Sequence, residues 1–97
     1  MAKEVRWTKV SIVDRFDIYN YWIERTKSEE FSIKLDLLFV QAASLISDFP
    51  EIGMESEVPG IRIKIVKNYK IFYLNNEDNI QILRVWDAKQ DPKRLIF

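Results

Sequence analysis

Pro50, Gly53, Pro59 and Gly60 crowd into the eleven residues between Phe49 and Ile61, and only one further Gly or Pro, Pro92, occurs in the chain. Gly and Pro are the strongest local punctuators of regular structure. The cluster therefore divides the 97 residues into a front half and a back half. The hydrophobic pattern changes period across it.

Before the break the spacing is helical. Phe31, Leu35, Leu38, Ala42, Leu45 and Phe49 recur at intervals of 4, 3, 4, 3 and 4, one stripe of a helix. Ser28 offers a cap, Glu29 and Glu30 place negative charge in the first turn where the helix dipole favours it, and Pro50 stops the winding. Upstream, Ile12, Phe16, Tyr19 and Ile23 repeat at 4, 3 and 4, with Thr8 as the cap. A short polar link around Arg25 to Ser28 joins the two segments, which predicts an antiparallel helical hairpin. The Phe and Trp side chains here are read as core.

After the break the period is two. Ile61, Ile63 and Ile65 oppose Arg62 and Lys64; Tyr69, Ile71 and Tyr73 oppose Lys70, Phe72 and Leu74; Ile80, Ile82, Arg84 and Trp86 oppose Gln81, Leu83 and Val85. Lys67-Asn68 is a two-residue connection in which Asn tolerates the left-handed conformation, and Asn75 to Asn79 form a polar loop, so a meander of hairpins follows. Val5 to Trp7 is β-prone and can add a fourth strand. The expectation is an α+β fold over residues 1–97 as a single domain: an N-terminal strand, then an antiparallel helical hairpin packed on a mainly antiparallel sheet, in the order β-α-α-β-β-β.

Composition removes whole classes of chemistry. With no Cys there is no disulfide, zinc–thiolate or iron–sulfur site, and with no His the Ser-His-Asp, Cys-His and histidine–metal constellations are absent. No metal site and no cofactor are called for. The start lacks an apolar signal region, and the apolar run Leu37 to Val40 is far too short to span a membrane, so no membrane partner is expected and a cytoplasmic protein is the default. The total of 15 basic against 15 acidic residues hides a division: residues 1–60 hold 7 basic and 11 acidic side chains, and residues 61–97 hold 8 and 4. Arg62 and Lys64 share a face by alternation, and Lys70 is expected to join them across the tight hairpin, with Lys67 in the turn and Arg84 on the last strand. Such a basic patch suits a phosphate backbone or an acidic protein segment. Asp14, Asp17, Glu24, Arg15 and Arg25 read as a solvated helix face, and Asp87 and Asp91 as local hydrogen-bonders.

Several short signatures in this order resemble the RelE/ParE superfamily of bacterial type II toxin–antitoxin toxins. They are Trp7-Thr8 before the first helix, Tyr19-Asn-Tyr-Trp22 near its end, Phe49-Pro-Glu-Ile-Gly53 after the second, the strands Ile61-Arg-Ile-Lys-Ile65 and Tyr69-Lys-Ile-Phe-Tyr73, and the closing Val85-Trp-Asp-Ala-Lys-Gln-Asp-Pro92. The resemblance implies a plasmid-stabilisation toxin that inhibits growth, neutralised by a cognate antitoxin with which it can form a hetero-oligomer. Two mechanisms come with it. RelE-like members are ribosome-dependent mRNA endonucleases, and matching strand to strand their metal-independent catalytic cations correspond to Arg62, Lys64, Lys70 and, near the last turn, Lys89. ParE-like members instead poison DNA gyrase. A catalyst without histidine needs several converging cations, so gyrase poisoning ranks first, mRNA cleavage second and a non-toxic protein-binding module third. For partner binding the residues are Arg62, Lys64, Lys67, Lys70 and Arg84.

Overall fold

Strand β1 (Glu4–Trp7) runs directly into helix α1 (Lys9–Thr26), which turns back as α2 (Glu30–Asp48). After the Pro/Gly segment come a two-residue strand β2 (Met54–Glu55) and the meander β3 (Ile61–Val66), β4 (Tyr69–Asn75) and β5 (Asn79–Asp87). The computed structural model describes residues 2–90, 92–95 and 97. The sheet order is β1-β5-β4-β3-β2, with β1 parallel to β5 and every other pair antiparallel. This is the expected α+β architecture, extended by the short edge strand β2. No helix among the described residues is long and apolar enough to cross a membrane.

The cap of α1 follows the sequence, with Thr8 Oγ1 accepting the Ser11 amide at 3.1 Å. The cap position of α2 is Glu29, not the expected Ser28, and Glu29 makes no side-chain cap bond; Ser28 Oγ, one residue earlier, accepts the Glu30 amide at 3.2 Å. Helix α1 ends on Lys27, held left-handed at φ 59° with its N–H bonded to the Ile23 carbonyl, a position where glycine is commoner.

The helix faces are rotated from the expected stripes. On α2 the buried residues are Ser32, Leu35, Phe39, Ala42, Ala43, Ile46 and Ser47, whereas Phe31, Leu45 and Phe49 are exposed. On α1 the inward residue is Ser11, with Ile18 and Trp22 packed on the core, while Ile12 and Phe16 point to solvent. Small side chains select these faces, because they let the helices approach their neighbours closely. Each buried serine also satisfies its hydroxyl on a backbone carbonyl: Ser11 on Thr8, Ser32 on Tyr19 and Ser47 on Lys3. The core itself sets Leu35, Phe39, Ala42, Ala43 and Ile46 of α2 against Val66, Tyr69, Ile71, Tyr73, Ile80, Ile82 and Val85 of the sheet. Burying each larger aliphatic or aromatic side chain contributes about 1.5–3 kcal/mol.

Strict alternation also fails once. Phe72 pairs with Arg84 but Tyr73 with Ile82, so Leu83 is an extra residue on β5. This bulge brings Val85 onto the core face with Ile80 and Ile82 and sends Arg84 and Trp86 the other way, reversing the expected sides beyond it.

Two core tyrosines find partners for their hydroxyls. Tyr69 Oη accepts from Trp22 Nε1 at 2.9 Å; Tyr73 Oη accepts from the Gly53 amide at 2.9 Å and donates to the Pro50 carbonyl at 2.8 Å. Burial pushes both phenol pKa values above the ordinary value of 10.0. The folded pKa thus exceeds the unfolded one: stability is complete below the unfolded value and falls as pH rises through it toward the folded value. Urea unfolding should show stability declining above about pH 10, with a shallower decline in Tyr73→Phe. Identical pH profiles for the two proteins would contradict this.

Candidate functional site

The turn Val66-Lys67-Asn68-Tyr69 fixes where the candidate cations go. It pairs Val66 with Tyr69, and therefore Ile65 with Lys70, Lys64 with Ile71 and Arg62 with Tyr73. Residues directly opposite in an antiparallel pair project to one face. Arg62 and Lys64 consequently stand on the helix-bearing face with Tyr73 and Ile71, and Lys70 stands on the other. The expected union of Lys70 with Arg62 and Lys64 does not form. A two-residue turn always gives this parity, so the split was available from the sequence. The left-handed residue of the turn is Lys67, at φ 55°, and not Asn68.

The two candidate arginines have local tasks. Arg62 Nη1 donates to the Gly53 carbonyl at 2.7 Å and to that of Glu51 at 3.3 Å, while Glu55 lies 4.0 Å from Nη2. Together with Tyr73 it pins the Pro50–Gly53 turn from below, which gives Phe49-Pro-Glu-Ile-Gly53 its structural reason. Arg84 forms a two-pronged pair with Asp14, at 2.8 and 3.0 Å, and Asp14 also accepts the Val85 amide at 3.0 Å. The pair is largely buried, and hydrogen bonding to Asp14 pushes the Arg84 pKa up. Here α1 continues along the β5 edge that β1 leaves, since Thr8 bonds the Ile82 and Leu83 carbonyls. Lys89 is exposed just after β5, its amide bonded to Asp87 Oδ1. Asp87 is thus the local hydrogen-bonder expected; Asp91 and Ile96 lie outside the described residues.

Asp14 and Arg15 are not part of a solvated face. Arg15 pairs with Asp36 through two bonds of 2.9 and 2.8 Å and lies over the Trp7 ring at 4.4 Å. It ties α1 to α2 and to β1 at once. Between α1 and the end of β5 a cleft of about 540 Å³ is lined by Tyr21, Trp22, Arg25, Trp86 and Lys89 among others. Trp86 Nε1 is buried there without a hydrogen-bond partner among the described residues.

Two apolar features lie outside the core, and the first includes Ile12 and Phe16, which the helical spacing predicts to face inward. Ile12, Val13 and Phe16 on α1 and Ile33, Leu37 and Val40 on α2 are all 43–65% exposed. The Arg15–Asp36 and Ser32–Tyr19 contacts set the helices side by side so that these stripes run together along the outer face of the hairpin. At the C-terminus Phe97 packs edge-on against Phe72, with ring centres 5.1 Å apart. Phe97 thus reaches the sheet through Phe72.

The sequence pattern of the ParE toxin of the type II toxin–antitoxin system, parDE, matches residues 5–92. The chain belongs to the ParE toxin family. A solved structure described as the chromosomal ParDE TA system from P. aeruginosa superposes with a TM-score of 0.80 at 22% sequence identity, covering 91% of this chain and 98% of that one. At that identity the likeness is one of fold. No curated protein matches the chain in sequence. For this ParE-family chain the geometry answers one chemical question: Arg62, Lys64, Lys67, Lys70, Arg84 and Lys89 are distributed over two sheet faces, a turn, an edge and a loop.

Proposed function

We propose that this chain is a growth-inhibiting toxin that acts on DNA gyrase and is neutralised by a cognate antitoxin. The observation that carries the gyrase reading is the dispersal of the cations. Stabilising a phosphorane without metal or histidine requires several cations preorganised around one point. Here the two-residue turn separates Lys70 from Lys64, Asp14 holds Arg84, and the Pro50–Gly53 turn holds Arg62. That arrangement suits a protein target better than RNA cleavage.

The antitoxin reading rests on family membership and on two surfaces. The hairpin's apolar face offers area for an amphipathic segment. Beside it, a groove of about 300 Å³ between α2 and the β3 edge is lined by Leu38, Ala42 and Leu45 and flanked by Lys64 and Lys67, which suits an acidic segment. Purified toxin should inhibit gyrase supercoiling, and the product of the adjacent gene should reverse the inhibition. Lys64→Glu with Lys67→Glu should weaken that reversal at least tenfold at low salt and less at high salt. Unimpaired supercoiling at saturating toxin would refute the target, and an unchanged antitoxin affinity would refute the electrostatic part.

A further inference from the structure

At the opposite end of the β3–β4 hairpin from Lys67 lies a concavity of about 720 Å³, floored by Leu45, Phe49, Pro50 and Ile52 and bordered by Asp48, Glu51 and Asn75. Its apolar residues are open to solvent: Leu45 is 38%, Ile52 44% and Phe49 60% exposed. The shape is held from beneath, because Tyr73 Oη bonds both Pro50 and Gly53 and Arg62 bonds the carbonyls of Glu51 and Gly53.

The electrostatics of this groove run against local helix stability. The C-terminal end of a helix carries partial negative charge and favours Lys or Arg. The last turn of α2 has no basic residue; it ends on Asp48, and Glu51 follows three residues later. Among the described residues neither carboxylate is in an ion pair. Of the nearby cations, Lys3 bonds Asn75 and Asn76 on the Asn75 rim of the groove and Arg62 is turned onto backbone carbonyls, so neither pairs with Asp48 or Glu51. Helix end and two carboxylates thus direct negative potential across an apolar floor.

We infer that this groove is a docking site for a protein segment that presents an apolar side chain flanked by Lys or Arg. The apolar anchor fills the space over Phe49 and Ile52 while the flanking cations meet Asp48, Glu51 and the end of α2. Its chemistry is opposite to that of the acidic segment proposed for Lys64 and Lys67, although the two grooves meet at Leu45. The two occupants are therefore distinct, and this site stands whether or not gyrase is the target.

The test uses the isotope-labelled full chain and two capped synthetic hexapeptides, Lys-Lys-Leu-Phe-Leu-Lys and Glu-Glu-Leu-Phe-Leu-Glu. The basic peptide should shift the amide resonances of residues 45–52, with an affinity that falls as salt is raised, and the acidic peptide should leave them unmoved. Asp48→Lys with Glu51→Lys should weaken the basic peptide at least tenfold and admit the acidic one. Both substituted positions are exposed and Asp48→Lys suits the helix end, so the variant should keep or raise the parent's Tm. Equal binding of the two peptides, shifts confined to other residues, no shifts at millimolar peptide, or an unchanged affinity in the folded variant would each overturn the inference.

Discussion

Gly53→Ala should destabilise the protein by about 2–4 kcal/mol, at the upper end of what overpacking costs. A β-carbon at Gly53 would lie 2.6 Å from Tyr73 Oη, 2.8 Å from Tyr73 Cε1 and 2.8 Å from the Ile63 carbonyl oxygen. None of these yields easily: the ring of Tyr73 is completely buried and the carbonyl belongs to a sheet strand. In a domain of this size the loss corresponds to a Tm fall on the order of 10–20 °C. Tyr73→Phe alone should cost about 1–3 kcal/mol, because the Gly53 amide and Pro50 carbonyl lose their partner in a buried site. Combining the two changes should cost less than their sum, since removing the hydroxyl relieves the shortest contact and both act on one hydrogen bond. Urea denaturation of the four proteins measures this. A Gly53→Ala variant within 0.5 kcal/mol of the parent would disprove the close-packed turn.

Asp14→Ala should be comparably damaging, at about 2–4 kcal/mol, because removing one partner of a largely buried pair strands the other. Its carboxylate accepts three bonds, two from Arg84 and one from the Val85 amide, and the two side chains are only 13% and 16% exposed. The loss also unpins α1 from the edge of β5 past the bulge. The contrast is Lys34→Ala, which breaks a pair with Glu30 whose side chains are 72% and 75% exposed at 3.4 Å. That change should stay within about 0.5 kcal/mol. Arg84→Ala should cost less on top of Asp14→Ala than it does alone, since the shared pair is already gone and only contacts such as that with the Trp86 ring remain to be lost. Equal effects of Asp14→Ala and Lys34→Ala on the urea midpoint would count against the anchoring role of Asp14.

The element order was legible because its signals are local. The Thr8 cap, the Pro/Gly break and the two-residue turn at Lys67-Asn68 each act within a few residues, and each falls where the sequence puts it. The phase of the helices was not. Helix α2 is apolar on most of its circumference, so several stripes fit its residues equally well. The buried one is chosen by Ser32, Ala42, Ala43 and Ser47, whose virtue is smallness and a reachable carbonyl, not hydrophobicity. The surplus apolar residues on the other side form the exposed hairpin face.

The candidate site was legible as a list of cations and misread as a cluster. Alternation correctly put Arg62 with Lys64, but the parity of the turn places Lys70 across the sheet, and the bulge at Leu83 redirects Arg84. The Asp14–Arg84 pair joins residues 70 positions apart, and no local signal announces such a contact. Asp14 therefore looked like one more solvated acid. Family membership came through because the short signatures mark structural necessities, Gly53 under Tyr73 above all.

The most direct test of the central claim is to induce the chain in growing bacteria and, in the same culture, map transcript 5′ ends and recover DNA covalently attached to gyrase. Growth arrest with gyrase-linked DNA breaks and no new ribosome-phased ends inside coding sequences is the predicted result. New in-frame mRNA ends without gyrase-linked breaks would contradict the account, and would mean that the dispersed cations converge on RNA after all.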